Sequence, residues 1–191
     1  MKKKKIIIIT VISVILVISL IGLMIVSKSK NEMSKPINNI PGNEISLELT
    51  GEQYKPSKLV DENNTKIELS QFSNKPMALL FFNTTEINAK EAINIFQKYY
   101  EEYKDKINFI NISVIDGVTE SKEDVKTYIQ NNNITIPILY DTEYTAKNEY
   151  EIDTIPTFIF INKNNEIINT IAEDINEDVI EANLDILAEN Y

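Results

Sequence analysis

Six consecutive apolar residues, Met77-Ala78-Leu79-Leu80-Phe81-Phe82, constrain this 191-residue chain more than any other stretch. A strand with one wet face alternates apolar and polar positions. An unbroken run of this length belongs to a strand covered on both faces, which occurs chiefly in sheets whose parallel crossovers lay helices over them. The flanking segments agree. Lys75-Pro76 opens the run, and beyond it Ala92, Ile95, Phe96, Tyr99, Tyr100 and Tyr103 recur at helical spacing, with Lys104 and Lys106 near the end. Asn88 and Glu91 are spaced as an N-cap and its N3 partner, and the adjacent Tyr99 and Tyr100 cannot both point inward.

Ile107 to Val114 reads as a second buried strand, and Asp116-Gly117 turns the chain. Ser121 and Asp124 are spaced to cap a helix through Val125, Tyr128 and Ile129 that stops at Asn131-Asn132-Asn133. Ile136 to Tyr140 is extended around Pro137, and a short helical piece covers Ala146 to Tyr150. Thr157–Ile161 and Glu166–Ile171 form a hairpin over Lys163-Asn164-Asn165. The last element is an amphipathic helix with Ile175, Val179, Ile180, Leu184, Leu187 and Ala188 on its apolar face. Upstream, Ile45, Leu47 and Leu49 alternate with polar residues as a half-buried strand. Leu59-Val60 and Ile67-Glu68-Leu69 flank a hairpin turn at Asp61-Glu62-Asn63-Asn64. The order β-α-β-α-β-β-α gives parallel crossovers followed by an antiparallel pair, hence an α/β fold with a mixed sheet.

The N-terminus is of another kind. Lys2 to Lys5 precede an uncharged apolar run, Ile6 to Val26, whose 21 residues would rise roughly 32 Å as a helix, enough to span a hydrocarbon core. A cleaved signal peptide would have a shorter apolar region and a small-residue cleavage site, and Leu23-Met24-Ile25-Val26-Ser27-Lys28 offers none. The expected organisation is a basic N-terminus (1–5), a transmembrane signal-anchor (6–26), a polar linker (27–43) and one α/β domain (44–191). The lysine cluster favours a cytoplasmic N-terminus and a domain on the extracytoplasmic face, although Lys28, Lys30 and Lys35 on the other flank reduce the bias.

Charge narrows the partners. The chain has 19 Lys and no Arg against 29 Asp and Glu, a net charge of −10. Seven of those lysines and one acid (Glu32) precede Pro36, so the 156 residues from there on carry 12 Lys and 28 acids, a net −16. A nucleic-acid partner is disfavoured, because phosphate binding needs cationic patches. Anionic lipid headgroups would repel the domain. Such acidity serves solubility, and it also suits a cationic peptide or protein partner.

The stretch from about Val60 to Ile171 resembles the TlpA/ResA branch of thioredoxin-like proteins, membrane-tethered bacterial thiol–disulfide oxidoreductases. The resemblance rests on an ordered set of segments: the hairpin ending Ile67-Glu68-Leu69-Ser70-Gln71-Phe72, Lys75-Pro76 before the apolar strand, and the Tyr-rich helix ending at Lys106. Further on come Ile136-Pro137-Ile138-Leu139-Tyr140-Asp141, Ala146-x-x-x-Tyr150-x-Ile152 and Thr154-Ile155-Pro156-Thr157-Phe158-Ile159-Phe160. It implies a thioredoxin-like fold with a mixed central sheet flanked by helices and an N-terminal β-hairpin extension, preceded here by one transmembrane helix. It also implies that Pro156 is cis and lies beside the start of the first long helix, where Ile155 would offer backbone groups to an extended peptide.

Where the family carries Phe-Trp-x-x-Trp-Cys-x-x-Cys-Lys, this chain reads Phe81-Phe82-Asn83-Thr84-Thr85-Glu86-Ile87-Asn88-Ala89-Lys90, and it contains no cysteine at all. Disulfide exchange needs a thiolate to attack and a second sulfur to resolve. Neither is present, so the family chemistry does not transfer, nor does the peroxidase chemistry of peroxiredoxin relatives. Glu86 reads as a helix-start acid favoured by the helix field, with Thr84 or Thr85 as cap. With no His in the chain, a Ser-His-Asp triad is excluded and the commonest metal ligand is missing. Asp141-x-Glu143 and Glu149-x-Glu151-x-Asp153 lack the glycine turn and spacing of an EF-hand. No catalytic residue, metal or cofactor is assigned. The candidate contact sites are the degenerate positions Glu86, Ile87, Asn88 and Ala89 and the loop Thr154, Ile155, Pro156 and Thr157. They suit a redox-inactive module that binds a protein or peptide at the membrane. The alternatives are a structural subunit of a membrane assembly, a thiol–disulfide pathway component relying on a partner's thiols, and an enzyme using the carboxylates of Glu86 and Asp153.

Overall fold

The computed structural model describes residues 52–172 and 175–189. The basic N-terminus, the apolar span 6–26, the linker 27–43 and the strand expected at Ile45–Leu49 lie outside the described residues. Among the described residues no helix is long and apolar enough to cross a membrane.

The strands are β1 (Lys58–Val60), β2 (Lys66–Glu68), β3 (Met77–Phe82), β4 (Asn108–Val114), β5 (Ile138–Asp141), β6 (Thr157–Ile161) and β7 (Ile167–Ala172). They form one seven-stranded sheet in the order β2-β1-β5-β4-β3-β6-β7. β3, β4 and β5 are mutually parallel, while β1, β6 and β7 each run antiparallel to a neighbour. The helices are α1 (Ala89–Tyr103), α2 (Lys122–Asn131), α3 (Thr145–Glu149) and α4 (Glu177–Glu189), with a 3₁₀ turn at Leu69–Phe72.

All six residues of β3 are buried, as the apolar run demands. Alternation divides them. Ala78, Leu80 and Phe82 face a core shared with Phe96 and Tyr99 of α1, Val125 of α2, and Ile180 and Leu184 of α4. Met77, Leu79 and Phe81 face a second core with Leu59, Leu69, Ala146 of α3, Tyr150 and Ile152. Each buried aromatic or aliphatic side chain contributes about 1.5–3 kcal/mol relative to exposure, so cover on both faces is what this strand requires: α1, α2 and α4 supply it on one, and β1, the 3₁₀ turn, α3 and the segment after it on the other. On β4, Asn111 and Ser113 alternate with Ile110, Ile112 and Val114. Their side chains are wholly buried without a hydrogen bond from another protein group, and nothing in the structure explains them.

Helix α1 runs parallel to α4, and hydroxyls tie the two together. The Tyr99 phenol donates to Glu181 (2.9 Å) and the Tyr103 phenol to Asp185 (2.7 Å). Tyr100 turns the other way and meets Phe109 edge-on at 5.7 Å, so the adjacent tyrosines diverge as the spacing requires. Segment 52–57 is pinned by Tyr150, whose phenol donates to the Lys55 carbonyl (2.9 Å) and accepts from its N–H (3.1 Å).

Candidate functional site

The register sets which loops meet. β3 and β4 are parallel, β4 and β5 are parallel, and Phe81 of β3 pairs with Thr157 at the start of β6. The connections 83–88, 115–121 and 142–144, together with 150–156, therefore emerge from four adjacent strands at one end of the sheet. At about 4.8 Å per strand they cover a strip roughly 15 Å wide. This is the carboxyl end of the parallel strands, where open α/β sheets place their binding sites. The degenerate positions and the Thr154–Thr157 loop are both there.

Loop 83–88 is built by turns. Asn83 accepts from the Thr85 N–H (2.9 Å) and hydroxyl through its side chain and from the Glu86 N–H (3.2 Å) through its carbonyl, and Glu86 accepts from the Ala89 N–H (3.2 Å). The chain thus enters α1 already curled. Asn88 occupies the N-cap position with φ −91° and ψ 1° and makes no side-chain cap bond, because capping needs an extended N-cap residue. The Asn88–Glu91 cap expected from spacing is corrected on this ground. At α2 the rule holds. Ser121 is extended (φ −103°, ψ 166°) and forms a full capping box with Asp124.

Neither Thr84 nor Thr85 caps α1 either. Thr85 bonds to Asn83, and Thr84 donates its N–H (3.0 Å) and its hydroxyl to the carboxylate of Glu120. Glu120 is 1 % exposed and straps the β3–α1 loop to the β4–α2 loop. Burial pushes its carboxyl above the ordinary range, outweighing the hydrogen bonds from Thr84 that pull the other way.

The β4–α2 loop is held by Asp116, which accepts from the N–H groups of Val118 (2.8 Å) and Thr119 (2.7 Å) and from the Thr119 hydroxyl (2.8 Å). Those bonds hold its carboxyl down at about 2. Gly117 beside it has φ +70°, the left-handed region where a side chain is strained. The loop presents Val118 at 88 % exposure. Ile87 stands in the neighbouring loop at 96 % and Tyr144, before α3, at 38 %. Among the described residues these three are the exposed large hydrophobics. All three lie at this end.

Of the expected site residues, Glu86, Ile87 and Asn88 are exposed, whereas Ala89, the first residue of α1, is buried. Thr154 is exposed, Ile155 is half-buried, and Pro156 and Thr157 are buried. The Ile155–Pro156 peptide is cis, as the resemblance implies, and the Thr157 hydroxyl bonds to the Thr154 carbonyl (2.6 Å). Among the described residues no three acidic side chains converge as a metal cage. Asp141 is instead buried, accepting from the Lys147 N–H (2.7 Å) and holding the start of α3. Sequence reasoning missed Glu120, Val118 and Tyr144. Val118 was visible as the lone apolar residue inside Asp116-Gly117-Val118-Thr119-Glu120, whereas nothing in the sequence distinguishes Glu120 from a surface acid.

Residues 50–170 match the AhpC/TSA family over well more than half of the chain. The chain belongs to the AhpC/TSA family. Within this thioredoxin-like family it is a TlpA/ResA-like member without cysteine. It is 28% identical over 83 residues to the sporulation thiol-disulfide oxidoreductase A of Bacillus subtilis, a match covering 43% of this chain and 50% of that protein. The chain thus spans about half the length of the curated relative it matches. Among solved structures it is similar to a putative thiol:disulfide interchange protein DsbE from Chlorobium tepidum (TM-score 0.65, 11% identity, 72% of this chain and 96% of that one). It is also similar to StoA from Bacillus subtilis (TM-score 0.57, 20% identity, 68% and 97%). At these identities the likeness establishes the thioredoxin-like fold.

Proposed function

We propose that this family member is a redox-inactive module that grips an extended peptide or partner protein at the carboxyl end of its central strands. The observation that carries the reading is the coincidence of three features at one end of the sheet. Glu86 and Ala89, at the positions where the family pattern has cysteines, the loop with the cis Ile155–Pro156 bond, and the exposed Ile87, Val118 and Tyr144 all lie there. Ile87 lies between Glu86 and Ala89, and an isoleucine standing in water there suits contact without chemistry. Strand-like addition of a peptide beside Ile155 uses main-chain hydrogen bonds and needs no sulfur. The run Ile6–Val26 supports an uncleaved anchor, and Lys2–Lys5 support an extracytoplasmic domain.

The test is site-specific photo-crosslinking in cells. A crosslinker at Ile155 is expected to capture a partner that one at Asp178, on the outer side of α4, does not. Capture from Asp178 alone would make the chain a structural subunit docking by a helix face. The purified protein is expected to show no insulin reduction, and measurable turnover would refute the redox-inactive reading. Membranes washed with carbonate should retain the chain, and protease added from outside should remove the domain.

A further inference from the structure

The two ends of the sheet differ in charge. The four loops at the candidate site, 83–88, 115–121, 142–144 and 150–156, hold Glu86, Asp116, Glu120, Glu143, Glu151 and Asp153 and no lysine. Glu120 is buried on Thr84, which leaves five exposed carboxylates around Ile87, Val118 and Tyr144. At the opposite end, the connections 61–65, 73–76, 104–107, 132–137 and 162–166 hold four acids and four lysines. Cations in the helical first turns do little to offset the first group. Lys122 is drawn towards the β1–β2 turn by the Asp61 carbonyl (2.6 Å) and Asn64 (2.9 Å), with its ammonium 4.6 Å from the Tyr140 ring. Lys90 and Lys147 remain.

From this we infer that the segment accepted at the candidate site is cationic and apolar together: an extended stretch of a partner protein whose lysines or arginines meet the carboxylate rim while its aliphatic side chains cover Ile87 and Val118. The inference rests on the reading of this end as a peptide or protein contact and adds the chemistry of the occupant. Charge complementarity selects it. A nucleic acid or an anionic lipid surface would face five carboxylates, against which only Lys90, Lys147 and, near Glu151, the Glu52-paired Lys55 set positive charge. A second copy docking end to end would set five carboxylates against five, a repulsive pairing. A divalent cation has no converging set of three acids among the described residues. The rim steers the basic partner in, and the apolar residues hold it once rim charges are desolvated.

The experiment uses the full chain in zwitterionic nanodiscs and three nine-residue peptides with blocked ends, alternating Leu-Lys, Leu-Glu and Ser-Lys, titrated by calorimetry at 50 and 300 mM NaCl. The Leu-Lys peptide is expected to bind, to weaken at least tenfold at the higher salt, and to bind at least tenfold more tightly than either other peptide. The double variant Glu143→Lys/Asp153→Lys is expected to weaken it tenfold or more, while Asp61→Lys/Glu62→Lys at the opposite end leaves it unchanged. Equal weakening by both pairs would mean that only the overall negative charge attracts the peptide, and the inference fails. Equal binding of Leu-Lys and Leu-Glu, abolished by Ile87→Ser, would sink the cationic partner and leave the peptide-contact reading standing. Binding of none of the three would overturn both.

Discussion

The loops at the two ends of the sheet obey different rules, and the backbone shows it as clearly as the charge. At the balanced end the residues in the left-handed region are Asn64, Asn133 and Asn165, the residue type besides glycine that best tolerates it. At the acidic end they are Gly117, Tyr144 and Glu151, and only the glycine is at ease there. One end is built for turning the chain economically. The other holds an aromatic and an acid in strained conformations, exposes three large hydrophobics and collects like charge. Each of these is unfavourable for folding, and their coincidence is what the proposed peptide contact would account for.

The common core that carries both ends should show the largest effect. Phe96 lies 4.8 Å from Phe109 and 5.7 Å from Phe158 by ring centroids and is fully buried. Phe96→Ala is expected to cost about 3–5 kcal/mol in urea unfolding and to disturb both ends together. If only one end loosened in hydrogen exchange, the two would be separate cooperative units and the contrast would concern stability rather than function.

Next in size is the strap between the two site loops. Glu120→Ala leaves the N–H of the half-buried Thr84 without its acceptor and is expected to cost about 1–3 kcal/mol, while Glu120→Gln keeps an acceptor and costs less. The two variants also separate in pH. Because burial raises the folded pKa of Glu120, its stabilising contribution is complete below its unfolded value near 4.5 and is lost as pH rises through the folded one. Glu120→Gln should therefore gain on the wild type between pH 4 and 8. A constant difference over that range would show that the carboxylate pays no desolvation cost.

Tyr103→Phe, which removes the bond to Asp185, is expected to cost about 1 kcal/mol. Burial pushes the phenol of Tyr99, one turn earlier, up to about 12. Its contribution is complete below the unfolded value near 10 and disappears as pH climbs to about 12, a loss that Tyr99→Phe should abolish.

The α/β fold was legible because β3 and the period of α1 admit few alternatives, and the capping box at Ser121 was readable because its extended conformation agrees with local preference. The α1 cap failed for a reason no spacing rule contains. Loop 83–88 spends its side-chain oxygens on its own turns and on Glu120, 36 residues away, and so enters the helix pre-curled. The positions of Glu86–Ala89 and Thr154–Thr157 followed from the resemblance. That Val118 and Tyr144 join them required the sheet register, which places loops distant in sequence side by side.

Glu151→Asn tests the strain directly. Asparagine tolerates φ 52° better than glutamate, so the fold should gain about 0.5–1 kcal/mol while the rim loses one carboxylate. Increased stability with weakened Leu-Lys binding is the expected pair of results; loss of stability would mean that the glutamate side chain has a structural task.

The smallest effect on the fold should accompany a large one on function. Ile87 and Val118 stand almost wholly in water, so Ile87→Ser and Val118→Ser remove little buried area and should change unfolding free energy by less than about 0.5 kcal/mol. The serines are compatible with both loops, since Ile87 lies in an exposed turn and the Val118 backbone keeps its bond to Asp116. A side chain that contributes to neither packing nor hydrogen bonding is dispensable unless a partner covers it. Peptide binding in both variants should therefore fall at least tenfold with the melting curve unmoved. If the curve fell with binding, the two residues would be part of the scaffold, and the contrast between the ends would reduce to one of loop stability.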